Sequence, residues 1–267
     1  MSKKTTLFVH DCSGINPGDE ASCPLPYFDF SVTNNIKIES KRLRRQEDMA
    51  KYLEDKDNII FGGGGLIAGR VKNMFSLVQK YKKKKHKIIS WGIGYNERGE
   101  NTVDYSNVKK YMKGFDIHGV RDFGHEFNYV PCSSCMHNVF NQIKDPICDL
   151  VVYEHYGFPI PYSDGYPIMQ NTGTSLEEII KFLSSGETIV TSAFHGAYWG
   201  MLLNRKVIVI PCGSRFFGFK HDPIFKTNNN WKKGISQSQN KNYKDYLLEC
   251  RNVNKEYYKK VIEIINK

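Results

Sequence analysis

An α/β fold built on parallel sheets is the class this sequence predicts, from three observations. Apolar runs such as Asn58–Phe61 and Lys206–Ile210 are rich in β-branched residues and too short for helices. They end at Gly or Pro, as strands covered on both faces do. Stretches with helical spacing follow such runs in regular alternation. The alternation recurs in both halves of the 267 residues, with an interruption between them.

Thr5–Asp11 is the first strand, and it runs into CSGINPGDEAS, where Asn16, Pro17, Gly18 and Asp19 mark a turn. Asn16 and Gly18 could meet a ligand there or form an ordinary βα turn. Asp19 could cap the next helix. A short strand, Asn35–Ile38, precedes a basic helix near Arg44–Asp55. Asn58–Phe61 then ends in Gly62–Gly65, and four glycines after a strand permit either close approach of a ligand or tight packing of another loop. They form neither a dinucleotide fingerprint nor a P-loop. Gly63 and Gly64 are the central pair. A helix at Arg70–Lys83 leads to strand Lys87–Trp91, which ends in Gly92-Ile93-Gly94. A helix near Val103–Lys113 leads to strand Asp116–Val120, ending in Arg121-Asp122. Arg121 is an anion clamp or half of a surface pair with Asp122.

Val130–Phe140 breaks the alternation, and the domain boundary is set at about residue 147, giving units 1–146 and 147–267. Strand Leu150–Glu154 opens the second unit, and Pro167–Asn171 is a further strand. Thr174-Ser175-Leu176-Glu177 reads as a capping box for a helix ending near Ser185. Strand Thr188–Ser192, a turn with His195 and Gly196, a short apolar helix and strand Lys206–Ile210 follow. In open parallel sheets, ligands sit beyond the carboxyl ends of the strands, near helix N-termini. His195 stands there, as a ligand contact or as a cap of the turn. The loop CGSRFFGFKHDP adds Arg215, Lys220 and His221, and the last helix covers about Asn254–Asn266. Tyr198 and Trp199 read as core.

A hydrophobic content of 40% with 13% aromatics excludes a disordered chain. No apolar run approaches the ~20 residues that span a bilayer. The start, MSKKTTLFVHD, enters a strand with no cleavage pattern, so a cytoplasmic location is expected. The net charge of +10 and the run Lys80–Lys87 fit a solvated surface, a phosphorylated small molecule or contact with an anionic membrane surface. No nucleic-acid-binding signature accompanies them, so no nucleic-acid partner is expected. Of seven cysteines, Cys132 and Cys135 form a CxxC without a second ligand pair, and free thiols are expected.

Several of these segments stand together: NPGDE at Asn16–Glu20, the strand into GGGG, SWGIG at Ser90–Gly94 and VRD at Val120–Asp122. TSAFHGAYWGMLLNRKVIVIP at Thr191–Pro211 and FGFKHDP at Phe217–Pro223 complete the set. This combination resembles the polysaccharide pyruvyl transferase family. The resemblance implies two Rossmann-like domains with parallel sheets facing across a cleft, similar to GT-B glycosyltransferases, with the acceptor on the N-terminal side and the donor on the C-terminal side. It implies transfer of a pyruvyl group from phosphoenolpyruvate to two hydroxyls of a sugar, free or lipid-linked, in a cell-surface glycan or its precursor. A cyclic ketal forms and phosphate leaves. It places His195 at the donor site. Some members carry an arginine two residues before that histidine, where this chain has Ala193.

Such a reaction needs an acid for the enol carbon and a base for the hydroxyls, and a histidine of pKa about 6.5 can serve as either. Asp19 is a candidate base. The donor's phosphate and carboxylate call for Arg and Lys, so Arg121, Arg215, Lys220 and His221 join the substrate-binding set. Asn16, Gly18, Gly63, Gly64, Gly92, Gly94, Ser192 and Gly196 complete it. No metal and no cofactor beyond the donor are expected, and the alternatives are a nucleotide-sugar glycosyltransferase and a non-catalytic glycan-binding relative.

Overall fold

The computed structural model describes residues 3–11, 14–39, 51–53, 56–67, 75, 80, 82, 85–97, 99, 105–124 and 126–267. The helices expected at 44–55 and 70–83 fall almost wholly outside these residues. Strand β1 (Thr5–His10) pairs in parallel with β2 (Asn34–Glu39) and β3 (Asn58–Gly62), and β3 pairs with β4 (Lys87–Trp91), in the order β2-β1-β3-β4. The period of two sorts its side chains between two cores. Leu7, Val9, Ile59, Phe61 and Ile88 face one. Phe8, Ile60, Ile89 and Trp91 face the other.

The second sheet is also wholly parallel. It comprises β5 (Cys148–Glu154), β6 (Ile168–Gln170), β7 (Gly186–Thr191), β8 (Lys206–Val209) and β9 (Ile224–Phe225), in the order β6-β5-β7-β8-β9. Helix α1 (Pro17–Glu20) follows β1, and α2 (Tyr105–Met112) precedes Arg121. Helices α3 (Leu176–Ser185) and α4 (Phe194–Leu202) flank β7, and their buried apolar side chains pack on Val151, Tyr153, Ile189 and Val207. Two parallel sheets with helices on their faces form the GT-B-like α/β architecture the sequence predicts.

Three expectations shift. The strand expected at Asp116–Val120 is reduced to bridges at Ile117 and Val120. There the Asp116 carboxylate takes the Ile88 N–H at 2.7 Å, and the Gly119 N–H goes to Ser90. The capping box is real but one residue later: Ser175 Oγ accepts from Glu178 N, and Glu178 reaches back to Ser175 N. Thr174 Oγ1 instead donates to Thr172 O.

The third shift is the largest. After the short α5 (Gly234–Ser238), the last helix, α6, runs over Tyr246–Asn266 and begins eight residues earlier than expected. Its first part buries Tyr246 and Cys250 in the core of the second sheet. Its second part lays Tyr257, Val261 and Ile265 on the first sheet. Asn254, fully buried between them, accepts from Trp91 Nε1 at 2.7 Å and donates to Pro131 O and Cys250 O. This helix therefore ties the two sheets together. None of the helices among the described residues is long and apolar enough to cross a membrane.

Candidate active site

The first wall of the site is the loop after β1. Asn16 caps α1 by accepting from Gly18 N at 3.1 Å, and its amide donates to Asp19 Oδ2 at 2.8 Å. Asn16 is thus the cap, and Asp19 sits inside the helix with its carboxyl beside Gly64. Gly18 has no room for a side chain, because a Cβ would lie 2.1 Å from His195 Nδ1. Four residues on, Ser22 Oγ donates to Gly18 O at 2.7 Å.

The glycine loops give close packing. Gly63, at φ +57°, has Ser22 where a Cβ would be, and Gly64, at φ +76°, lies against Asp19 Oδ1. Gly92, at φ +64°, packs on the backbone of Val130–Cys132. A Cβ on Gly94 would meet Arg121 Nε at 2.2 Å. The Gly63 N–H is bonded to Trp91 O and the Gly94 N–H to Gly64 O, so neither is free for a phosphate. Between the alternatives left open by the sequence, these contacts support packing that seats Ser22 and Arg121.

The second wall is the turn after β7. Ser192 Oγ donates to Phe158 O at 2.6 Å and accepts from His155 N at 3.0 Å, fixing the neighbouring loop. Ala193 is the N-cap residue of α4 without a side-chain cap bond, and Gly196 lets α4 rest on Thr191 and Tyr153. His195 is the second residue of α4, so it does not cap the turn. Its ring is buried, with Nε2 3.3 Å from Ser22 Oγ and 3.6 Å from Cys132 Sγ. Tyr198 and Trp199 are core residues, as expected, and their polar atoms bond to Cys132 O and Ser134 Oγ.

Two arginines bear on these walls. Arg121 is only 6% exposed, and its guanidinium lies 3.7 Å over the Phe194 ring. Its Nε has no hydrogen-bond partner among the described residues, and neither does the buried Nε of Arg215. Arg215 is half-buried and donates through Nη2 to Cys212 Sγ. Burial opposes the Arg121 charge, and Asp122, Cys132 and Asp19 favour it. Burial holds His195 well below the usual imidazole value, and Arg121 and Arg215 push it further down. It is therefore neutral at physiological pH. Burial, then Asp11, pushes the half-buried Asp19 up to about 6, against the pull of Arg121, Arg215 and Asn16. Asp122, which accepts from Tyr95 N at 2.7 Å, is pushed up to about 6 by burial.

Of the residues singled out in the sequence, Asn16, Gly18, Asp19, Gly64, Gly94, Arg121, His195 and Arg215 thus come together, with Gly63 and Gly92 shaping the floor. Ser192 and Gly196 support the turn. Lys220 and His221 do not join them. Both are bound to Glu249 on α6, Lys220 by a close ion pair and His221 at 3.1 Å. The surface-pair reading of Arg121 is overturned by burial, for Arg121 and Asp122 are both inside. Ser22, Cys132, Phe194 and Asp11 are neighbours of the site that the sequence reading missed. Cys132 and Cys135 are buried, and the described residues contain no group of His, Cys, Asp and Glu placed to hold a metal ion.

Fold and site define a GT-B-like protein that brings together two arginines, a neutral histidine and a carboxyl of raised pKa. The MnaA protein of S. aureus, solved with UDP, superposes with a TM-score of 0.52 at 10% identity, over 94% of this chain and 91% of that one. A Listeria monocytogenes protein provisionally described as a UDP-N-acetylglucosamine 2-epimerase gives 0.51 at 9% identity, over 95% and 90%. These likenesses establish the fold. Residues 12–124 match the family model described as polysaccharide pyruvyl transferase, in agreement with the resemblance read from the sequence. The match lies within the first half of the chain and ends before the His195 turn. No curated protein matches the chain in sequence.

Proposed function

We propose that this protein transfers the pyruvyl group of phosphoenolpyruvate to a sugar diol of a surface glycan or its lipid-linked precursor. The observation that carries the reading is Arg121, a buried guanidinium with an unpartnered Nε, brought together with Arg215 beside His195 and Asp19. A buried cation is stable only when paired. A small molecule with both phosphate and carboxylate suits two such groups, since guanidinium forks match both anions. Arg121 also compensates for Ala193: it lies over Phe194, next to the position where related chains carry an arginine.

The electrostatics divide the labour. Asp19, with its raised pKa, is the group able to carry a proton, and it delivers that proton to the methylene carbon, leaving a positive centre at C2. Neutral His195 takes the proton of the first attacking hydroxyl as its oxygen bonds to C2. Phosphate then leaves with the proton held by His195. The second hydroxyl closes the ketal, and its proton returns to Asp19. One proton enters at carbon, two leave the hydroxyls, and the protein ends as it began. These roles exchange those expected from sequence for Asp19, because burial favours its protonated form. The donor is a cytoplasmic metabolite, so the reading places the reaction there, with a lipid-linked acceptor at the inner membrane face.

The test is incubation with phosphoenolpyruvate and candidate lipid- or nucleotide-linked sugars. Phosphate release together with a pyruvyl mass gain on the sugar is expected. Binding of UDP- or CMP-sugars with no binding of phosphoenolpyruvate would overturn the reading, and a folded His195→Ala protein of full activity would overturn the site.

A further inference from the structure

We propose that Ser22 is a positioning residue for His195, holding the imidazole hydrogen on Nε2 and leaving the lone pair on Nδ1 to receive the acceptor's proton. As a statement about catalysis this rests on the reading above, but the tautomer is a property of the protein alone.

The argument is an inventory of hydrogens. Ser22 Oγ is fully buried and lies 2.7 Å from Gly18 O, an atom that only accepts, so the hydroxyl hydrogen is committed there. What Ser22 presents to its other two neighbours, Cys132 Sγ and His195 Nε2, both at 3.3 Å, is lone pairs. The far end of the chain is equally constrained. Trp199 Nε1, which only donates, points at Ser134 Oγ at 3.0 Å. Cys132 Sγ lies 3.1 Å from Ser134 Oγ and 3.3 Å from Ser22 Oγ, and a thiol hydrogen aimed at Ser22 meets a free lone pair there. Two links have a fixed direction: the indole can only donate to Ser134, and the Gly18 carbonyl can only accept from Ser22.

Toward Ser22, at 3.3 Å the nearer of its two polar neighbours, Nε2 faces a lone pair, and that contact is a hydrogen bond only if the ring nitrogen brings the hydrogen. His195 therefore carries it on Nε2. Its lone pair is on Nδ1, on the side where Gly18 leaves no side chain and Asp19 follows. Ser22 does not touch the reacting atoms; it sets which histidine atom can.

The test is 15N NMR of the ligand-free, full-length protein labelled in histidine, with His195 assigned by comparison with His195→Gln. The wild-type ring is expected as the Nε2–H tautomer. In Ser22→Ala the thiol of Cys132 loses its acceptor and turns to Nε2, so the population shifts toward Nδ1–H. In phosphate release, Ser22→Ala is expected to lose about 10²-fold in kcat, the order of a general-base contribution, with KM for phosphoenolpyruvate little changed. An Nδ1–H ring in the wild type overturns the proposal, as does a folded Ser22→Ala with an unchanged tautomer. Should Ser22→Ala not fold, the wild-type spectrum decides the tautomer, and Ser22→Cys, which keeps a donor for Gly18, tests the residue. A wild type with the expected tautomer and tautomer shift but no turnover of phosphoenolpyruvate would sink pyruvyl transfer and leave the tautomer assignment supported.

Discussion

Gly18→Ala is the substitution whose consequences follow most directly from the geometry. The new Cβ would fall 2.1 Å from His195 Nδ1, 2.4 Å from Cγ and 2.8 Å from Cε1, whereas carbon contacts settle near 3.5–4.0 Å. The ring must retreat by roughly 1 Å. It has little space to do so, since Ser22 and Cys132 meet its far nitrogen and Trp199 lies behind it with ring centroids 5.0 Å apart. Overpacking of this kind costs about 1–3 kcal/mol, and breaking the Ser22 contact adds about 1. At roughly 2–4 °C per kcal/mol for a chain of this size, the melting temperature should fall by roughly 4–16 °C. A displacement of about 1 Å at a reacting group costs about 10²-fold in rate. Thermal melting and phosphate release measure both effects. Gly157→Ala, whose Cβ would rest at ordinary distance from His155, should change stability by less than about 0.5 kcal/mol and serves as the control. If Gly18→Ala melts and turns over like the wild type, the two walls do not meet as described.

Arg121→Lys should raise KM for phosphoenolpyruvate about 10–100-fold, through loss of charge-assisted bonds of about 1.5–3 kcal/mol, and unchanged donor affinity would contradict the clamp. The raised pKa of Asp19 fixes a sign. Its proton is present below about pH 6 and lost above, so kcat/KM should fall as pH rises through about 6. Asp19→Asn should abolish that limb together with most of the activity, and a flat wild-type profile from about pH 5 to 8 would argue against the acid role. Asn254→Leu leaves Trp91 Nε1 and Pro131 O without this partner between the sheets and should cost about 3 kcal/mol, roughly 6–12 °C in melting; a change under about 0.5 kcal/mol would show that α6 does not lock the sheets. Lys220→Ala and His221→Ala should leave donor KM unaltered and shift stability by about 1 kcal/mol or less, since their pairs with Glu249 are partly exposed. A raised donor KM in either would return that residue to the site.

The strands were legible because each is a short apolar run with a punctuating Gly or Pro, and parallel pairing then places Gly94, Arg121, His195 and Arg215 at facing edges. Contacts made across the cleft were not. Ser22 meets His195 over a separation of 173 residues and Cys132 meets it over 63, and no spacing pattern records either. Lys220 and His221 were assigned to the donor for a related reason. Their partner Glu249 lies on the part of α6 before Asn254, which the sequence reading left outside the last helix. The glycine loops were legible as sites of close approach, with ligand and packing both open, and their missing side chains make room for Ser22 and Arg121. Asp19 was identified, yet its role turns on burial and on Asp11, which only the fold supplies.

Calorimetric titration of the wild-type protein with phosphoenolpyruvate, beside the same titration of Arg121→Ala, tests the central claim most directly. Saturable binding by the wild type, weakened at least about tenfold by the substitution, is the predicted result. Absence of phosphoenolpyruvate binding with saturable binding of a UDP-sugar, or wild-type affinity in Arg121→Ala, would contradict it.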